Sequence, residues 1–118
     1  GNYEMALKYL EKSLRISKEI GDSSGLLLST TTSLYLIYKH LGKDYDKKEI
    51  YKLINESKNV KYELNFQLYK LLEDRSFLEN AYNKLQEKLN NIDNKLRENF
   101  SNLPIPKEIL EEWNKISN

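Results

Sequence analysis

The sequence predicts an all-α fold of antiparallel helical hairpins, and three observations predict it. Apolar residues recur at three- and four-residue steps along most of the 118-residue chain, the spacing that places them on one side of a helix. Charged residues make up 31% and hydrophobic ones 39%, with only four Gly and two Pro, a balance suited to amphipathic helices rather than to short strands joined by turns. A segment also repeats at an offset of 31 residues, laying Tyr38 on Tyr69 and Tyr51 on Tyr82, the mark of a repeated supersecondary unit.

The first helix runs from Asn2 to about Ile20, with Tyr3, Ala6, Leu7, Leu10, Leu14, Ile16 and Ile20 as its stripe. Gly21-Asp22-Ser23-Ser24 then offers a C-terminal glycine and fresh N-caps. A second helix follows from Leu26 to Leu41 and is stopped by Gly42. Its Leu27, Leu28, Leu34, Tyr35, Leu36, Ile37, Tyr38 and Leu41 cover most of the circumference, so it is expected to lie between neighbours. Asp46 is the N-cap expected for a third helix ending near Ser57 and carrying Ile50, Leu53 and Ile54.

A fourth helix is expected from about Val60 to Glu73, burying Tyr62, Phe66, Tyr69 and Leu72. A fifth begins after Arg75, and its Leu78, Tyr82, Leu85, Leu89, Ile92 and Leu96 form a heptad seam that predicts one long helix reaching toward Phe100. Leu103-Pro104-Ile105-Pro106 reads as a break, because neither proline has an N–H to donate. A short last helix, Lys107 to Ile116, then offers Ile109, Leu110, Trp113 and Ile116 as a capping face. The length suits one domain over residues 1–118.

Composition excludes several functions. Nineteen basic and 18 acidic side chains are mixed along the chain, so no basic face of the kind a phosphate backbone needs is concentrated and nucleic acid is not an expected partner. Leu26-Leu27-Leu28 is too short for a membrane span, and no export leader opens the sequence; no membrane partner and a cytoplasmic location are expected. With no Cys, one His and no glycine-rich phosphate loop, neither an enzyme, a metal site nor a cofactor is expected.

The repeat can be followed residue by residue. Leu36 to Asp44 lies over Gln67 to Arg75 without a gap, and Ile50 falls on Ala81 and Ile54 on Leu85. The opening Gly1-Asn-Tyr-Glu-Met-Ala-Leu-Lys-Tyr-Leu-Glu-Lys-Ser-Leu14 resembles the second helix of a tetratricopeptide repeat, with a glycine, an aromatic two residues on, Ala6, Leu10, Ser13 and Leu14. Leu34 to Gly42 resembles the family's first helix. The resemblance covers Gly1 to Gly42 most closely and extends to about Leu89. It implies a right-handed solenoid cut at its start: residues 1–21 as the second helix of a truncated repeat, 23–57 a full repeat, 59–92 a degenerate one and 93–118 an extension with a capping helix. It further implies the end of an array from a larger bacterial regulatory protein. Tyr35 and Phe66 stand where the family has a small residue, and the spacings Gly42 to Ile50 and Glu73 to Ala81 predict lengthened loops within both hairpins.

The function the resemblance implies is binding a protein or peptide on the concave face. Ser29, Thr32, Leu36, Lys39 and His40 from one hairpin and Glu63, Gln67 and Lys70 from the next are the partner-binding candidates, their cations favouring an acidic or extended peptide. The clamp used by chaperone-binding members is absent, since Thr32, Leu36 and Leu64 stand at its positions. His40 reads first as an exposed residue of a last helical turn rather than a groove contact, the acidic pairs Glu111-Glu112, Glu19 with Asp22 and Glu73-Asp74 as solvated charges, the tyrosines as core, and Trp113 as a seal on the apolar end rather than a partner anchor. The alternative function is self-association, a homodimer through the truncated first helix or the C-terminal helices, including a coiled coil on Leu78 to Leu96.

Overall fold

The computed structural model describes residues 2–20 and 25–117. The expected turn at residues 21–24 lies outside the described residues. Among them are seven helices and no strand: α1 (Asn2–Ile20), α2 (Leu26–His40), α3 (Lys47–Glu56), α4 (Tyr62–Leu72), α5 (Arg75–Asn90), α6 (Asn94–Ser101) and α7 (Pro104–Ser117). The all-α class and the positions of α1 to α4 follow the sequence closely. The chain divides into two compact units, Gly1–Val60 and Lys61–Asn118.

In the first unit α2 packs on α1 and on α3, as its broad apolar circumference requires. The α1–α2 pair is antiparallel, because Tyr3 at the start of α1 meets His40 at the end of α2. Leu28, Leu34, Ile50 and Leu53 are buried, and so is the run Thr30, Thr31, Thr32. The α2–α3 connection is built from two local devices. Gly42, at φ +73°, closes α2 while the N–H of Lys43 reaches the Tyr38 carbonyl at 2.8 Å and that of Gly42 reaches Lys39 at 3.1 Å, the paired bonds of a Schellman ending. Asp46 then accepts from the N–H groups of Lys48 and Glu49 and starts α3, supplying acceptors that the first turn lacks. Nothing lies within 4 Å of a Cβ added at Gly42, so Gly42→Ala should cost about 1 kcal/mol through backbone conformation alone, read as a lowered denaturation midpoint.

In the second unit Phe66, Leu78, Ala81, Leu85, Leu89 and Ile109 form a core, with Tyr62, Tyr69, Tyr82, Ile92, Phe100, Leu110, Trp113 and Ile116 packed around it. The α4–α5 pair is antiparallel: Lys88, near the end of α5, lies over the ring of Tyr62 at the start of α4. On α4 the buried set is wider than the expected stripe, since Leu68 and Leu71 are as enclosed as Phe66.

Three expectations are corrected. The fifth helix is not continuous to Phe100: α5 stops at Asn90, and α6 starts anew after Asp93. Asn90 and Asn91 are weak helix formers, while the Asp93 carboxylate accepts from the Lys95 N–H at 3.2 Å and makes a better start than a continuation. The helical run does break before the prolines, at residues 102–103, but the last helix starts at Pro104 rather than Lys107: Pro104 and Pro106 lie in the first turn of α7, where an N–H would have no partner within the helix. The first helical bond there is Lys107 N–H to Leu103 at 2.9 Å. Only one of the two intra-hairpin loops is long. Six residues separate α2 from α3, but only Glu73 and Asp74 separate α4 from α5, because Asp74 caps the N–H of Ser76 and starts α5 early.

Candidate functional site

The eight groove candidates fall in both units. On α2, Ser29, Thr32, Leu36, Lys39 and His40 share an arc of roughly 100° at 100° per residue. Thr32 is corrected: it is fully buried, and its hydroxyl donates to the Leu28 carbonyl at 2.7 Å, so it presents nothing to a partner. Ser29, Leu36 and Lys39 are half-buried, and His40 is exposed with its ring 4.7 Å from that of Tyr3. On α4, Glu63 and Gln67 are half-buried. Lys70 is committed within its unit, pairing with Glu108 of α7 at 3.3 Å and sitting 4.5 Å above the Phe66 ring.

Around the C-terminal end of α2 the aromatic rings are tied to one another. Tyr35 stacks on Tyr38 at 5.9 Å and reaches Tyr45 at 5.3 Å, Lys43 lies over Tyr38, and the Tyr38 hydroxyl donates to Glu11 of α1 at 3.2 Å. Tyr35, which the family resemblance would have as a small residue, thus fills the space against the α2–α3 loop. In the second unit the Tyr69 hydroxyl donates to Glu112 at 2.8 Å, and Trp113 stacks on Tyr82 at 4.7 Å with the Arg75 guanidinium nearby. Trp113 therefore packs inward, and Glu112 is a structural acceptor rather than a solvated charge.

These contacts have a pH signature. The Tyr69 phenol is raised above its ordinary 10.0, first by its hydrogen bond to Glu112 and then by burial. Burial leads for Tyr38, Tyr35 and Tyr62, assisted by Glu11, by Asp46 and Glu49, and by Glu63 respectively. A phenol whose folded value is raised stabilises the fold fully below the unfolded value and loses that contribution as pH rises through the folded one. Unfolding midpoints should therefore fall above about pH 10, and Tyr69→Phe should reduce the slope of that fall.

An apolar stripe lies open on α1. On α1, Met5, Tyr9, Ile16 and Ile20 are 78, 71, 42 and 74% exposed. At 100° per residue they lie within an arc of roughly 60°. Ala6, Leu7, Leu10 and Leu14 are half-buried and Ser17 buried, and these belong to a neighbouring arc of the same helix. The sequence stripe had merged the two faces, counting Ile16 and Ile20 with the packed residues and omitting Met5 and Tyr9. The four-seven-four spacing was the signal that separates them. A shallow basic hollow on α3, lined by Lys47, Lys48, Tyr51, Lys52, Asn55 and Glu56, is also open. Among the described residues no three potential metal-ligating carboxylate or imidazole side chains converge, and no helix is long and apolar enough to cross a membrane. No protein-family model, curated protein or solved structure matches the chain.

Proposed function

We propose that the chain is a protein-interaction module of tetratricopeptide-like hairpins that works by contact rather than turnover, and that its docking face is the uncovered stripe of α1. The observation that carries this reading is the exposure of Met5, Tyr9 and Ile20, each above 70%. A line of large apolar side chains open to water favours coverage by another protein surface. A concave cavity of the kind that encloses a small ligand is not what this face offers, since Met5 and Ile20 stand about 22 Å apart along the helix.

The hairpin part of the reading rests on backbone. Gly42 and Glu73, 31 residues apart, are both in the left-handed conformation at the ends of α2 and α4, and Glu73 is the one non-glycine residue with positive φ among those described. Ile50 and Ala81, at the same offset, are both fully buried. One turn recurring at one register, with matched buried positions, supports a repeated unit.

A photo-crosslinking side chain in place of Tyr9 tests the docking face in cells that make the protein. Position 9 should yield a protein adduct, while Lys18 on the far side of α1 should yield none. Equal adducts from both positions, or none from position 9, would remove the assignment.

A further inference from the structure

The spacing of the α1 stripe, at residues 5, 9, 16 and 20, is symmetric about its own midpoint. In an antiparallel pair of identical helices related by a two-fold axis, residue i faces residue j of the other copy whenever i + j is constant, because the contact is the same patch on both sides. Met5 and Ile20 sum to 25, and so do Tyr9 and Ile16. The two pairs satisfy one register with the axis between Lys12 and Ser13, and each flexible or aromatic side chain meets a branched one. We propose that this face binds a second copy of the chain, α1 against α1, antiparallel, with Met5 on Ile20 of the other copy and Tyr9 on Ile16.

Charge on the rim agrees with this register. Lys8 and Glu19 lie on the same flank of the stripe, both exposed, and the antiparallel register brings Lys8 of each copy within about two residues' rise of Glu19 of the other. Two opposite-charge pairs result. Arg15, also exposed on that flank, lies at the same axial offset from Lys8 but about 40° farther round the helix from the seam than Glu19, and Lys12 meets its own counterpart near the axis, where its long stem carries the ammonium to water. Four large apolar side chains per copy along a seam of about 22 Å form a small interface, so association is weak and reversible, on the order of tens of micromolar.

This inference rests on the reading of the stripe as a docking face, and its test separates the two. Sedimentation of the full chain should show a monomer–dimer equilibrium. Lys8→Glu and Glu19→Lys should each weaken it roughly fivefold, the double variant should recover it, and Lys12→Leu should tighten it. Because the chain has no cysteine, Tyr9→Cys mixed with Ile16→Cys supplies the only thiols. The mixture should form a disulfide-linked heterodimer, whereas Tyr9→Cys alone should not, its two thiols lying about 10 Å apart along the seam. A monomer at all concentrations, or a dimer that ignores the charge reversals and fails to cross-link, overturns the proposal. A monomer whose position 9 still cross-links to another protein overturns it and leaves the docking face standing; no adduct and no dimer removes both.

Discussion

Leu85→Ala should destabilise the protein by about 2–5 kcal/mol, the range for truncating a fully enclosed leucine. Leu85 has no exposed surface and sits among Phe66, Leu78, Ala81, Leu89 and Ile109. Contributions from both α4 and α7 hold the walls of the resulting cavity, which limits collapse and places the cost toward the upper part of the range. Leu96→Ala should change stability by less than about 0.5 kcal/mol, as is usual on a surface. Leu96 is 58% exposed on α6, although it continues the same heptad seam in the sequence. The difference between the two substitutions, measured by urea denaturation, reads the interruption between α5 and α6 directly. Equal losses would mean that the seam is continuous and shielded along its length. The coiled-coil version of self-association depends on that continuity, and the burial of Leu78, Leu85 and Leu89 inside the second unit already commits those residues elsewhere.

Thr31→Val should raise stability by about 1–3 kcal/mol, the penalty of a buried polar group without a partner. Thr31 is 1% exposed, and its hydroxyl oxygen has no hydrogen-bond partner among the described residues. Valine keeps the branched shape and removes the unsatisfied oxygen, so the packing around α2 is retained. Its neighbour has the opposite expectation. Thr32 is equally buried, but its hydroxyl donates to the Leu28 carbonyl, and Thr32→Val should cost up to about 1 kcal/mol. Thermal unfolding of the two variants side by side gives opposite signs from chemically identical changes one residue apart. A loss in both would place a polar group near the Thr31 hydroxyl.

The contrast between these two threonines also shows where sequence reading stops. Periodicity located α1, α2, α3 and α4 to within a residue or two, because each carries a strong apolar face and a local stop or start such as Gly42 or Asp46. It assigned Thr30, Thr31 and Thr32 no place in the core, since a polar run is buried only when neighbours enclose the helix on several sides, and that is a tertiary fact. Leu68 and Leu71 escaped for the same reason. The heptad from Leu78 to Leu96 outweighed Asn90, Asn91 and Asp93, whose preference for ending and capping helices decided the outcome. Pro104 and Pro106 looked like breakers because their position relative to a helix start is not visible in composition.

For the candidate site, the chemistry of the groove residues was legible and their availability was not. Thr32 is enclosed and Lys70 is held by Glu108 and Phe66, contacts made across helices distant in sequence. On α1 the expected stripe mixes two faces: Ala6, Leu7, Leu10 and Leu14 share the packed side, Ile16 and Ile20 lie on the open one, and Met5 and Tyr9, which the stripe omits, stand in water beside them.

Met5 gives the most direct measurement of whether that face is a contact surface. It is the single methionine of the chain and is 78% exposed on the stripe, so the rate at which dilute peroxide converts it to the sulfoxide reports coverage without any substitution. If α1 is a docking face for a second copy, Met5 oxidation should slow several-fold as protein concentration rises through the tens of micromolar, and dilution or Tyr9→Glu should restore the rate of free methionine. Oxidation at the free rate at every concentration would contradict that account.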